Sequence, residues 1–274
     1  MNNSNPIVTV FIVNYNSADF IDISLYALSK LSGYPYKVVI RDNNSNLRDY
    51  QKLVNICRKY PNTKVVRSHT PLRGSLAHGT ALNYLCKNIN TPYFSILDAD
   101  AIWLIKNWDK ILINKLNKKV KAIGTQVALD SNKPKDFPIM FSILFETKTF
   151  KNLNIDFRPD KSDIVKDTGY QLREKYLSNH FLGKIIEMRN TRVYHSGPFK
   201  NVICAEYYLD TDYNNIFSSH FSRGSSLGKA KYIKNMSIIS PYRIPFFGDY
   251  LLQLKGMMEK HHWINICRKI IDSQ

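Results

Sequence analysis

Four short apolar runs, each closing on polar residues, constrain this chain more than any other feature. Residues 7–13, 37–40, 64–67 and 93–97 are rich in β-branched and aromatic side chains, which suits strands. Residues 18–31, 47–59 and 75–88 read as helices between them, broken by Gly33-Tyr34-Pro35, Pro61 and the loop at 72–75. The order β-α-β-α-β-α-β predicts an open, mostly parallel α/β sheet. The first run is almost continuously apolar, as expected of a central strand covered on both faces. Ligands of such sheets bind beyond the carboxyl ends of the strands. Asn14-Tyr15-Asn16, Asp42-Asn43-Asn44 and Asp98-Ala99-Asp100 all stand at such ends. One crevice should therefore gather them.

The third cluster is the most demanding chemically. An apolar strand stops there in two acids one residue apart. Carboxylates are rarely buried unless they are paired or hold a metal. The sequence has no G-x-G-x-x-G and no G-x-x-x-x-G-K-[ST], so neither a dinucleotide fingerprint nor a P-loop cradles a phosphate. A divalent cation on Asp98 and Asp100 would neutralise a diphosphate instead. Oxygen ligands suit Mg²⁺ or Mn²⁺, which commonly keep open positions for substrate phosphates. The competing reading is a helix N-terminus facing water, because residues 102–116 also read as helical. On that helix Trp103 and Trp108 are expected to pack rather than to hold sugar.

These pieces resemble a known family. Residues 8–16, 38–45 and 96–100 together look like a family 2 glycosyltransferase of the GT-A fold. The resemblance is clear over roughly the first hundred residues and weaker beyond. It implies a GT-A-type, Rossmann-like, mixed but mostly parallel sheet flanked by helices. It implies a sugar donor activated as a nucleoside diphosphate, with UDP the expected nucleotide, and Mn²⁺ or Mg²⁺ as cofactor. Val13, Asn14, Tyr15 and Asn16 would border base and ribose, with Asn43 beside them. Asp42 would accept a hydrogen bond from the base. Asp98, with Ala99 between the two acids, would meet ribose or a metal-bound water, and Asp100 would ligate the metal. A late histidine would complete the metal site, His220 being expected and His195 the competitor. Arg73 and Arg223 are placed to reach the diphosphate, with Gly74 allowing close backbone approach, and His78 would face the nucleotide or else be a surface or core-satisfied histidine. The loop at 72–83 departs from the commoner pattern, with Leu72 where an Asn is usual.

The catalytic base implied is an acid at the start of a helix after the acceptor loop. The usual form is Glu-Asp; here it is Lys166-Asp167, so only Asp167 fits. A plain helix N-cap is the alternative for Asp167, and Asp160 and Asp163 are the fallback acids. The function implied is inverting hexosyl or related transfer to a hydroxyl of a glycan or lipid-linked saccharide, as in polysaccharide biosynthesis. Two other classes remain. A sugar-phosphate nucleotidyltransferase would show a Gly- and Arg/Lys-rich loop after the first strand, which Asn14-Tyr15-Asn16 is not. A non-catalytic basic protein binding nucleic acid or membrane would not need both acids.

Composition enters through charge and cysteine. With 39 Lys+Arg against 22 Asp+Glu the net charge is +17, which favours an anionic partner without naming one. A nucleotide is expected, and nucleic acid is not. Cys57, Cys86, Cys204 and Cys267 are scattered, a pattern of free thiols rather than of a zinc site or disulfide scaffold. No signal peptide and no membrane-spanning run are read, so a cytoplasmic protein with at most peripheral membrane contact is expected. Residues 123–127, 138–145, 185–188 and 192–195 are expected to be strands. The domain division expected is 1–235 catalytic (1–100 donor half, 101–235 acceptor half) and 236–274 a C-terminal helical extension. A helix over 248–271 carries an apolar side interleaved with basic residues. It suits docking on its own domain or on a second copy in a homo-oligomer, or else an anionic membrane surface.

Overall fold

The computed structural model describes residues 5–160, 162–163, 166–210, 212–232 and 247–274. The first half follows the expected alternation: β1 (Val8–Asn14), α1 (Ala18–Leu31), β2 (Tyr36–Asn43), α2 (Leu47–Cys57), β3 (Thr63–Ser68), α3 (Gly74–Cys86) and β4 (Tyr93–Asp98). Then come β5 (Ala101–Trp103), α4 (Trp108–Ile113), β6 (Val120–Thr125), β7 (Ile139–Glu146) and α5 (Thr147–Asn152). The remainder is α6 (Tyr170–Ser178), β8 (Leu182–Asn190), β9 (Ala205–Tyr208), β10 (Ile216–His220), α7 (Lys229–Tyr232) and α8 (Phe247–Asp272). The expected boundary near residue 235 lies outside the described residues.

The strands form one mixed sheet in the order β3-β2-β1-β4-β7-β6-β8-β9-β10-β5. It is parallel from β3 to β4 and again between β6 and β8. The other neighbours are antiparallel. Along β1, Val8, Val10 and Ile12 face a core shared with α1, α2 and α8. Phe11 faces the opposite core, with Leu82 and Leu85 of α3 and the rings of Phe94, Phe145 and Phe157. Alternate residues thus enter two cores, which is why β1 shows no polar alternation.

The second half corrects several expectations. The helix read at 102–116 begins as β5, and only α4 is helical. Ala101, Ile102 and Trp103 pair with His220, Ser219 and Ser218 of β10, a partner far along the chain. Trp103 and Trp108 are buried and stack at 5.0 Å, which is packing as expected. The strand at 123–127 ends at Thr125, residues 192–195 form a turn, and β9 was not foreseen. All four cysteines are free and buried.

Helix α8 docks on its own chain. Trp263 lies under Phe20 and Phe221 and donates from its indole nitrogen to Ser219 Oγ at 2.9 Å. Lys260 pairs with Asp19 of α1 at 2.9 Å. Its outer side exposes Phe247, Tyr250, Met257 and Met258. Among the described residues no helix is long and apolar enough to cross a membrane.

Candidate active site

Two strand pairings build the centre of the site. Parallel register sets Val13 beside Asp98 at the ends of β1 and β4. Antiparallel pairing of β5 with β10 brings Ala101 opposite His220, and the Phe221 amide donates to the Asp100 carbonyl at 2.9 Å. Asp98, Asp100 and His220 thereby converge, each offering one donor atom within 4.8 Å of the others. His220 Nε2 is 3.2 Å from Asp100 Oδ1 and 3.9 Å from Asp98 Oδ2. The Gly224 amide donates to Asp100 Oδ2 at 2.7 Å. A side chain at Gly224 would put its Cβ 2.8 Å from that of Asp100, so glycine is what lets the amide approach.

Asp98 Oδ1 is buried and accepts no hydrogen bond; His78 Nε2 stands 3.7 Å away. A buried carboxylate oxygen without a donor is costly unless something cationic meets it. Two carboxylates and an imidazole fit Mn²⁺ and, less closely, Mg²⁺. Burial pushes the Asp98 carboxyl up, aided by the charge of Asp100. Burial acts the same way on Asp100, but the His220 charge and hydrogen bond outweigh it and hold this carboxyl below its usual range. His220 is raised: burial opposes its charged form, and Asp100 and Asp98 prevail.

The three residues floor a cleft of about 660 Å³. Of the residues expected to bind donor, Val13, Tyr15, Asn43, Arg73, Gly74, His78, Asp98, Ala99 and Arg223 line it. Tyr15 is 50% exposed at its edge. Asn14, Asn16 and Asp42, also expected to border the donor, are not among the residues that line it. Asn14 is fully buried and donates to Asp42 Oδ1 at 2.8 Å, Ser45 Oγ at 3.0 Å and Asp49 Oδ2 at 3.1 Å. Asp42 is 0% exposed and also accepts from the Ser45 amide, with Arg67 at 3.6 Å. Asn16 turns the chain at φ 51° and accepts from Asn46. These residues knot the ends of β1 and β2 together. Asn43, one residue on and 8% exposed, lines the cleft, and its Oδ1 is buried without a hydrogen-bond partner.

Sequence reading missed Phe141, whose ring lies 4.2 Å from that of His220 and lines the cleft. It arrives through the antiparallel pairing of β7 with β4, for which no local signal exists. His195 is exposed in a turn away from this cluster.

Asp167 is not the N-cap of α6. That position is Gly169 at φ 77°, with no side-chain cap. The Asp167 carboxylate instead accepts from Lys133 Nζ at 2.8 Å and from the Thr168 amide at 2.7 Å. Burial works to raise its pKa, but hydrogen bonds from Lys133, Ser75 and Thr168 hold it at about 2. Ser75 lines the donor cleft, while Asp167 lines a neighbouring pocket of about 210 Å³ together with Asp163. Asp160 is occupied by Ser162.

Sheet, cleft and carboxylate-imidazole cluster define an α/β protein of GT-A-type fold. The glycosyl transferase family 2 model matches residues 9–181, and the chain belongs to that family. The fold is similar to that of a mannosyltransferase of Pyrobaculum calidifontis, PcManGT, solved with GDP-Man and Mn²⁺: 18% identity, TM-score 0.54, 73% of this chain and 61% of that one. It is also similar to S. aureus TarS 1-349, at 19% identity and TM-score 0.50, over 65% of this chain and 57% of that one. The chain thus spans about three fifths of these structures. No curated protein matches it at a significant level.

Proposed function

We propose that the chain is an inverting, metal-dependent glycosyltransferase. It moves a sugar from a nucleoside-diphosphate donor, UDP-linked in our reading, to a hydroxyl of a glycan or lipid-linked saccharide. The observation that carries this is the convergence of Asp98, Asp100 and His220, one oxygen unpartnered, on the floor of a cleft rimmed by Arg73 and Arg223. Family membership supports it.

Asp98, Asp100 and His220 would hold Mn²⁺ or Mg²⁺, which as a Lewis acid stabilises the departing diphosphate. Arg73 and Arg223 offer forked donors to phosphate oxygens. Tyr15 offers a ring face to the base. Asn43 is our candidate to accept the uracil N3–H in place of the fully buried Asp42, its own buried Oδ1 having no hydrogen-bond partner in the chain. Asp167 acts as general base. The acceptor oxygen bonds to the anomeric carbon while the bond to the β-phosphate oxygen breaks. The electron pair leaves with the nucleoside diphosphate, the proton passes to Asp167, and the transition state has oxocarbenium character.

A thermal-shift panel of UDP, GDP and CDP with and without Mn²⁺ tests the reading. Stabilisation requiring nucleotide and metal together, abolished by Asp100→Asn, is expected. No stabilisation by any nucleotide would sink it.

A further inference from the structure

Both oxygens of Asp167 are engaged as it stands. One oxygen takes the Thr168 amide and the other the Lys133 ammonium. Lys133 lies on the loop between β6 and β7, and that loop is fastened to α6 by a fork from Arg173 to Asp136 at 2.6 and 2.6 Å. The ion pair is therefore held from both sides. On one flank Asp167 touches Ser75 and so the donor cleft. On the other it lines a second pocket together with Tyr170 and the buried Phe137 and Met140. Asp167 thus lines the second pocket and reaches the first through Ser75, and charged side chains line both cavities.

We propose that this second pocket receives the acceptor and that Lys133 is a latch on Asp167 which the acceptor displaces. The proposal rests on the glycosyltransferase reading. A carboxylate that accepts from an ammonium at 2.8 Å is a poor proton acceptor, because taking a proton would break a charge-assisted bond. With no acceptor present, water at the anomeric carbon goes unactivated and the donor survives. Hydrolysis would otherwise follow the same course as transfer. The water oxygen bonds to the anomeric carbon, the bond to the β-phosphate oxygen breaks with its electron pair, and Asp167 takes the proton. Lys133 acts through Asp167 and is a positioning residue, setting when the base is available.

The test is donor hydrolysis without acceptor, over a panel of UDP- and GDP-sugars with Mn²⁺. Lys133→Met should raise kcat for hydrolysis about tenfold or more. Lys133→Arg, which keeps the pair, should match the parent. Lys133→Met combined with Asp167→Asn should lose the gain. A Lys133→Met rate equal to or below that of the parent overturns the latch, whatever the other variants do. The Mn²⁺-dependent thermal shift with nucleoside diphosphate separates the two failures. If it persists while Lys133→Met is no faster, the latch alone is wrong; if the parent never shows it, the donor-site reading falls as well.

Discussion

At the scale of single residues, the Asp42-Asn43 pair shows how far sequence reaches. The sequence brings both residues to a strand end but does not say which one turns toward the cleft. Period-2 alternation sends neighbours to opposite sides, and the burial of Asn14 against Asp42 settles it only in three dimensions. The two positions should therefore respond differently. Asn43→Ala removes the unpartnered acceptor in the cleft and should weaken UDP binding about tenfold, a loss of order 1–1.5 kcal/mol, with little change in melting temperature. Asp42→Ala removes a buried acceptor shared by Asn14 and the Ser45 amide and takes the carboxylate away from Arg67, and should destabilise the fold by about 1–3 kcal/mol. Isothermal titration and urea unfolding read the two effects separately. Equal effects on binding from both variants would refute the assignment of Asn43.

At the scale of elements, legibility divides at Asp98. The strands and helices before it announce themselves through local pattern, and all were read correctly. The elements after it owe their form to distant partners. Ala101-Ile102-Trp103 is too short for any period and becomes a strand only because β10 pairs with it. His220 was identified by likeness rather than by pattern, since nothing local in residues 216–220 announces a metal ligand. The amphipathic side of α8 was legible, but not that its contact point would be the strand carrying His220. Trp263 makes that contact through Ser219, so α8 supports the Asp98-Asp100-His220 cluster from behind. Trp263→Ala empties a fully buried site and should cost about 3–5 kcal/mol in urea unfolding. It should also loosen Mn²⁺-dependent nucleotide binding. Trp263→Phe should recover most of the packing without the hydrogen bond.

At the scale of the whole molecule, the net charge of +17 makes acid the most informative stress. Each carboxylate neutralised leaves more uncompensated positive charge, and self-repulsion rises. Two carboxylates add a specific contribution. Asp156 is held at about 2, chiefly by the Arg158 guanidinium and also by Asn83, and Asp167 likewise at about 2. Both lie below the ordinary value of 3.8. A depressed carboxylate pKa contributes stability that is complete above the unfolded pKa and is lost as pH falls through the folded one. The relevant window is thus from about pH 5 down to about pH 2. The melting temperature should fall across it, and added salt should soften the fall by screening the repulsion. Asp156→Asn should begin lower at pH 7 and fall less on acidification, because its share of the linkage is already gone. If the parent and Asp156→Asn curves run parallel from pH 5 to the lowest pH at which the fold survives, the Asp156 network carries no such contribution.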